Sequence, residues 1–166
     1  MRARKHSSGH DVPRILPELT LSSARYVNLD TIARVAAPVG ASPFQNELLD
    51  PETCQRMIDS AHAEIGCLWS YGGYLEDRTH LWRLSYLEDS GGFVHLGVDC
   101  NVPAGTVVAA PYDCVVRHLF DDGDAPQGWG PRIILEPRDA KLPYLILGHL
   151  QPLSWSVGQS IAHGHH

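Results

Sequence analysis

Two residues that commonly ligate metals stand four positions apart, His95 and Asp99, with Gly97 midway between them. Neutral imidazole and carboxylate are ligand types that zinc accepts, and a glycine suits a strand-to-loop bend on which both side chains turn toward one ion. The pair therefore predicts half of a zinc site. The same spacing is also typical of a histidine bonded to a neighbouring carboxylate at a turn, so the pair alone leaves both interpretations open.

Histidine is abundant elsewhere in the chain, with ten residues in a total of 166. Three of them, His163, His165 and His166, crowd the last four positions, where they are either native or the remnant of a tag. His118 lies in an apolar run and is expected to be structural. The abundance of histidine favours metal chemistry without placing it.

The four cysteines lack metal-binding spacing, because none of them forms a CxxC pair. No disulfide framework is expected, and the thiols are interpreted as small, mostly buried residues in a reducing compartment. Cys100 follows Asp99 directly, so on a strand it points to the opposite face, and we expect it to face the core. The cysteines are Cys54, Cys67, Cys100 and Cys114.

Charge and hydropathy exclude several function classes. The formal net charge is −6, and no basic cluster follows the first six residues, which argues against nucleic acid as a partner. No apolar run approaches the roughly 20 residues that span a bilayer. The basic start is followed by Ser7, Ser8 and Gly9 instead of an apolar segment, so no signal peptide is predicted and the default location is cytoplasmic.

The residues that follow this start form an arm, one helix and a series of short strands. Residues 1–48 are punctuated by proline and serine and read as an irregular arm. Asp50 and Pro51 are typical of a helix start and Gly66 of a helix end, which predicts a helix over 51–65. Beyond residue 68, short apolar runs between Gly and Pro predict antiparallel strands. The predicted strands cover 106–109, 114–119, 132–135 and 144–147.

Several segments in order resemble the LytM/lysostaphin-type zinc metallopeptidases (peptidase family M23). The family pattern HxGxD matches His95, Gly97 and Asp99, and an apolar-Pro-x-Gly-Thr-x-Val segment with an Ala-Pro and paired valines follows. Further similar segments are GWGPRIILE at 128–136, LGHL at 147–150 and VGQSI at 157–161, with GGYLEDR at 72–78 as a lead-in. The resemblance covers about 70–162. It implies a mainly β fold, a small antiparallel β-sheet groove domain over 70–166, preceded by an arm and one α-helix in residues 1–69.

The resemblance also implies a site. His95 and Asp99 are the expected zinc ligands, and His149 falls on the family's catalytic histidine. The implied activity is that of a hydrolase, a zinc-dependent endopeptidase acting on a peptide or on peptidoglycan-like bacterial cell-wall peptides, with a cell-envelope location if the family's usual role holds. Zinc would polarise a peptide carbonyl and lower the pKa of its water to about 7.

The chain departs from the family at its end. The family completes its site with a His-x-His segment well after the position of His149, and one of those histidines is the third zinc ligand. His163 and His165 have these letters but follow VGQSI directly, so His165 is a weak candidate for that ligand. We therefore expect a domain that lacks the family's His-x-His segment. The alternative function is a catalytically inactive binding or regulatory domain.

Two charged residues near the lead-in segment suggest a supporting role. Glu76 and Arg78 precede a segment that contains Trp82. We expect a buried ion pair that braces the entry to the sheet, with a substrate contact as the alternative.

Overall fold

The computed structural model of the chain describes residues 14–36, 46–89, 91–123, 128–138 and 141–166. None of the helices in these ranges has the length and apolar character needed to cross a membrane. In chain order the elements are a 3-10 helix at Leu21–Ser23, β1 Ala24–Tyr26, α1 Leu29–Ala36, a 3-10 helix at Glu47–Leu49, α2 Pro51–Ile65, β2 Trp69–Tyr71, β3 Cys100–Asn101, β4 Cys114–Phe120, β5 Arg132–Pro137, β6 Leu145–Leu147 and β7 Ser160–Ile161.

These elements belong to two compact units. The helical unit contains Leu19–Thr106, and the C-terminal unit contains Val107–His166 together with the described residues up to Glu18. The predicted boundary between residues 69 and 70 lies within β2 of the helical unit, and the division into 1–69 and 70–166 stays a prediction.

Helix α2 begins and ends where its end residues predict. The Asp50 carboxylate accepts a hydrogen bond from the Thr53 backbone N–H at 2.8 Å, and Pro51 occupies the first helical position, where no N–H is needed. Gly66 ends the helix in the left-handed conformation, with φ 65° and ψ 44°. The predicted helix over 51–65 is confirmed.

The core of the helical unit joins both helices to the loop that follows residue 78. Its buried residues are Val27, Leu29, Ala33, Met57 and Leu81. In the three-stranded sheet of this unit, β1 pairs with β2 in parallel and β2 pairs with β3 antiparallel. Ser70 of β2 is fully buried, and its Oγ accepts from Asn101 Nδ2 at 3.0 Å and lies 2.8 Å from His62 Nε2, which ties the end of α2 to the sheet.

The C-terminal unit is built on an antiparallel sheet with the strand order β6-β5-β4-β7. Side chains of β5 alternate between buried and half-buried, as expected for a sheet with one face on a core. Cys114, Val116, Ile133, Leu135 and Ile161 form that core with Ala110. A bulge between Val116 and His118 shifts the register of β4 against β5.

The prediction of a mainly β fold is supported only in part. The described chain forms two sheets of mostly antiparallel strands, but helix and strand contents are about equal. The described residues contain two α-helices, α1 and α2, whereas the sequence predicted only α2. Residues 106–109 are not a strand, since Ala109 donates its N–H to the carbonyl of Ile15, which lies outside any strand. The other predicted strand segments correspond to β4, β5 and β6.

Candidate metal site

An irregular backbone ladder within the helical unit positions His95 and Asp99. The backbone N–H of His95 donates to the Glu76 carbonyl, and the N–H of Leu75 donates to the His95 carbonyl, both at 2.8 Å. Farther along, the N–H of Gly72 donates to the Asp99 carbonyl at 2.8 Å. The segment 72–78 therefore lies antiparallel to 93–99 and fixes the backbone of both predicted ligands.

His95 and Asp99 turn their side chains toward each other. His95 Nε2 lies 3.3 Å from Asp99 Oδ1, and the two side chains are 14% and 33% exposed. Zinc binds imidazole nitrogen and carboxylate oxygen at about 2.0–2.2 Å, so two ligand atoms of a tetrahedral site stand roughly 3.3–3.5 Å apart. The observed separation fits two neighbouring vertices of such a site.

The other ring nitrogen of His95 defines how the imidazole is oriented. Nδ1 lies 3.4 Å from the carbonyl oxygen of Gly73, and a carbonyl oxygen can only accept, so this contact is a hydrogen bond when Nδ1 carries the hydrogen. In the neutral ring, Nε2 then presents a lone pair to a carboxylate oxygen. This acceptor–acceptor contact is unfavourable unless a proton or a cation lies between the two atoms.

The second oxygen of Asp99 is held by a buried arginine. Arg78 Nη1 donates to Asp99 Oδ2 at 2.6 Å, while its Nε and Nη2 donate to Glu76 Oε2 at 3.3 and 3.1 Å. Glu76 and Arg78 are only 6% and 3% exposed. The predicted buried ion pair is present, and it connects directly to the predicted ligand Asp99.

Glu76 is itself fixed by two further donors. Its Oε1 accepts from the Gly73 backbone N–H at 2.6 Å and from the Tyr26 hydroxyl at 2.7 Å. The hydrogen bond to this carboxylate raises the pKa of Tyr26, because the charged phenolate could not donate it. Tyr26 comes from β1, within the predicted arm, and sequence reasoning missed it because a lone tyrosine carries no spacing signal.

Two glycines let this network approach the backbone. A Cβ at Gly72 would lie 2.9 Å from Arg78 Nη2, and a Cβ at Gly73 would lie 2.8 Å from Glu76 Oε1 and 2.9 Å from Tyr26 Oη. These separations are shorter than side-chain contacts allow, so only glycine fits while the hydrogen bonds are in place. The GG pair of the lead-in segment thus has a steric function.

Trp82 packs against both halves of the site. The Arg78 guanidinium lies 5.4 Å from the centre of the Trp82 ring, within the range of a cation–π contact. The His95 ring meets Trp82 edge to face at a centroid distance of 6.0 Å. The indole therefore limits the movement of Arg78 and His95.

The predicted catalytic residue His149 lies in the C-terminal unit, directly after β6 and Gly148. It is exposed, and its φ of 57° places a non-glycine residue in the left-handed region, which costs roughly 1–2 kcal/mol. Its backbone N–H donates to the Trp129 carbonyl at 3.0 Å, and its ring is nearly parallel to that of Trp129 at 6.3 Å. Strained conformations of this kind cluster at functional sites.

The ion pair between Asp122 and Arg132 contacts Trp129. Asp122 Oδ2 accepts from the Trp129 backbone N–H at 3.1 Å and from Arg132 Nη1 at 2.5 Å. These hydrogen bonds lower the pKa of Asp122 to about 2, with the bond from Arg132 as the largest cause. The Arg132 guanidinium also lies over the rings of Trp129 and Phe120, at 5.8 and 5.3 Å from their centres.

The terminal histidines pack at the end of the C-terminal unit. The Ala110 N–H donates to the His165 carbonyl at 2.9 Å, and Gly164 donates back to Ala110 at 2.8 Å. His165 contacts Trp155 edge to face at 5.1 Å, and the side chains of His163 and His165 are exposed. The role of His165 as a third ligand stays a prediction.

The structure brings together two of the predicted site residues, His95 and Asp99, in the helical unit. His149 and His165 belong to the C-terminal unit. Within the residues that the structure describes, no group of three or more His, Cys, Asp or Glu side chains is placed to hold one metal ion.

The cysteines differ from the expectation of mostly buried thiols. Only Cys114 is buried among the four, whereas Cys54 and Cys67 are partly exposed. Cys100 is exposed, which corrects the prediction that it faces the core, because it lies on β3, a two-residue strand that pairs with β2 alone. Although the residue is exposed, desolvation of its sulfur atom and the charge of Asp99 raise the pKa of the Cys100 thiol.

Comparison with known proteins identifies no relative: no protein-family model, no curated protein and no solved structure matches the chain.

Proposed function

We propose that this chain is a zinc-dependent endopeptidase-like domain that hydrolyses peptide bonds, with a LytM-type groove and peptidoglycan-like cell-wall peptides as the substrate class. The observation that carries the proposal is the 3.3 Å distance between His95 Nε2 and Asp99 Oδ1. The second polar atom of each side chain contacts another group, Gly73 for His95 and Arg78 for Asp99. The order of similar segments described above supports the family assignment.

The fit to zinc rests on the two ligand residues and on the groups that hydrogen-bond to them. Metal-binding histidines almost always donate their second ring N–H to a carbonyl or carboxylate, as His95 does to Gly73. Ligating carboxylates are likewise held by donors, as Asp99 is by Arg78. A bound zinc ion would supply Lewis acidity toward a peptide carbonyl. A catalytic zinc site has three protein ligands as a rule, so His95 and Asp99 would account for two of them.

His149 has the predicted role of donating to the developing oxyanion or orienting the attacking water. An exposed imidazole on a strained backbone, braced by Trp129, suits a group that must meet a substrate. This role is carried over from the resemblance and forms part of the proposal.

A second candidate function is an inactive binding or regulatory domain. The observation that favours it is the 2.6 Å ion pair between Arg78 and Asp99, which already supplies a positive charge to the carboxylate. In that case a protonated His95, and not a metal, would relieve its contact with Asp99, and the groove would serve for binding.

Zinc content tests the first proposal. The terminal histidines can bind zinc on their own, so the parent protein carries His163, His165 and His166 replaced by alanine, and the unmodified chain is measured beside it. His95→Ala is compared with His118→Ala, an exposed histidine of β4 that stacks on Phe120. We expect bound zinc, measured by atomic emission after dialysis, to be lost only with His95→Ala. Zinc that is unchanged by His95→Ala both in the parent protein and in the unmodified chain would refute a site at His95.

The result also tests the terminal ligand. If the unmodified chain binds zinc, and the loss of zinc on replacing the terminal histidines is matched by His95→Ala in the unmodified chain, a terminal histidine is part of the same site, and His165→Ala alone tests whether it is His165. If zinc content survives in the parent protein, the third ligand lies elsewhere.

Cleavage separates the two candidate functions. Zinc-loaded protein is incubated with a peptide library that includes glycine-rich sequences and cell-wall stem peptides. The peptidase proposal expects cleavage that is lost in both His95→Ala and His149→Ala and retained in His118→Ala. Zinc binding without cleavage, or peptide binding without zinc, would support the inactive domain.

A further inference from the structure

We propose that Arg78 is a positioning residue that keeps Asp99 a single-oxygen ligand and thereby sets the metal preference of the site. The inference rests on the proposed function and deepens it. It concerns a residue whose hydrogen bonds go to Glu76 and Asp99 and which acts through Asp99.

The two oxygens of Asp99 have separate partners. Oδ1 lies 3.3 Å from His95 Nε2, whereas Oδ2 accepts a hydrogen bond of 2.6 Å from Arg78 Nη1. A charge-assisted bond of this length is among the strong hydrogen bonds in proteins. As long as it is in place, Oδ1 alone is directed toward the space beside His95.

Arg78 cannot follow Asp99 if the carboxylate rotates. Its Nε and Nη2 are both bonded to Glu76 Oε2, and its guanidinium lies against the Trp82 ring. Glu76 is in turn held at Oε1 by Gly73 and Tyr26. The planar guanidinium therefore has one orientation, and Asp99 must keep the rotamer that meets it.

The charges leave the site receptive to a cation. Arg78 contributes +1, while Glu76 and Asp99 each contribute −1, so the three ionised side chains sum to −1. Glu76 thus offsets the arginine charge that would otherwise oppose a metal at Asp99. This explains why a buried arginine next to a predicted ligand is compatible with metal binding.

Single-oxygen coordination favours zinc over larger, oxygen-preferring ions. Zinc is typically four-coordinate, with one atom from each ligand, whereas ions such as calcium accept carboxylates through both oxygens and need more ligands. Manganese likewise suits carboxylate and carbonyl oxygen. If Oδ2 were released from Arg78, Asp99 could use both oxygens, and the preference for zinc over manganese would fall.

The test is Arg78→Lys in the parent protein that lacks the terminal histidines. Lysine keeps the charge but has a single ammonium group, which cannot bond both Glu76 and Asp99 in the observed geometry. Zn²⁺ affinity is measured by competition with a chromophoric chelator, and Mn²⁺ affinity by electron paramagnetic resonance. Arg56→Lys, on the exposed side of α2, is the matched control.

We expect Arg78→Lys to weaken zinc binding about 10- to 100-fold, the usual effect of losing an outer-shell partner, and to weaken manganese binding much less. Arg56→Lys should leave both unchanged. An equal loss for both ions would show that Arg78 only stabilises the local fold, and unchanged affinities would show that it does not position Asp99. Either result overturns the proposal.

Tyr26→Phe decides the matter if Arg78→Lys does not fold. It removes one hydroxyl at the far end of the network, and we expect a smaller zinc loss and a smaller drop in zinc-to-manganese preference, in the same direction as for Arg78→Lys. A preference identical to that of the parent protein overturns the inference.

His95→Ala separates this failure from failure of the proposed function. If it leaves zinc binding unchanged, there is no site at His95, and both proposals fall. If it abolishes zinc binding while the Arg78 and Tyr26 variants match the parent protein, only the positioning role is refuted.

Discussion

Glu76→Gln provides a sharp test of the buried network in the helical unit. The substitution keeps the size and shape of the side chain and an oxygen that can accept from Gly73 and Tyr26. It places an amide N–H₂ where Oε2 now accepts two hydrogen bonds from Arg78, so donor faces donor. The buried guanidinium then keeps Asp99 as its carboxylate partner but loses Glu76.

The expected cost follows from burial. Breaking a buried ion pair by removing one partner costs about 3–5 kcal/mol, and here the buried guanidinium loses one of its two carboxylate partners and keeps only Asp99. The side chains of Arg78 and Glu76 are 3% and 4% exposed, so solvent cannot replace the lost partner. At about 1.4 kcal/mol for each factor of ten, local opening should become roughly two to nearly four orders of magnitude more frequent.

Amide hydrogen exchange with mass spectrometry measures this opening locally, which matters because the chain has two units and tryptophans in both. Under native conditions, peptides covering 72–78 and 93–99 should exchange faster in Glu76→Gln, while peptides from β4 and β5 should be unchanged. Glu136→Gln is the matched control, since Glu136 pairs with Arg117 in an exposed position and should have little effect.

Two results would refute this reasoning. Exchange that rises less than about fivefold in 72–78 would mean that the network does not hold the ladder. Exchange that rises equally in β5 would mean that the substitution acts on the chain as a whole and that the local explanation is wrong.

Three further predictions concern other parts of the chain. Leu135→Ala should lower the free energy of unfolding by about 2–5 kcal/mol in urea denaturation, because Leu135 is 2% exposed, whereas exposed Leu142→Ala should have little effect. Gly66→Ala should cost about 1–2 kcal/mol by the same measurement, and Gly66→Asn less, since the residue has a φ of 65°. The folded-state pKa of Asp122 is depressed, so it contributes stability above its ordinary value of 3.8 that is lost as the pH falls through about 2. Its carboxyl carbon should titrate near pH 2 in NMR, and a midpoint near 3.8 would contradict the hydrogen bonds described.

The elements that the sequence predicted best have strong local signals. Asp50, Pro51 and Gly66 each satisfy a specific backbone requirement at the ends of α2, so local chemistry fixes both boundaries. The strands β4 and β5 contain short apolar runs between turn residues. Strand β1 was missed because it has only three residues and is stabilised by a parallel neighbour 45 positions later, Ala24 beside Trp69. Helix α1, with eight residues, lies in the segment that was interpreted as an irregular arm.

The residues of the candidate site likewise include some that the sequence could identify and others that it could not. His95 and Asp99 could be identified because two ligand types at close spacing form a recognisable pattern, and the structure brings their side chains together. Tyr26 could not be identified, since its connection to Glu76 spans 50 residues and depends on tertiary packing. Cys100 was assigned to the wrong environment because strand alternation gives a side chain's direction but not which face of a short strand is covered.

The two glycines of the lead-in segment make the substitutions at this site interdependent. A Cβ at position 73 would meet Glu76 and Tyr26, and one at position 72 would meet Arg78. Alanine at either position should therefore destabilise the fold while the network exists, and it should cost less stability once the facing side chain is shortened. Mutations here should show strong epistasis, and the order in which they occur should decide which are accepted. In related chains, loss of the glycine pair would mark loss of the Glu76–Arg78 network.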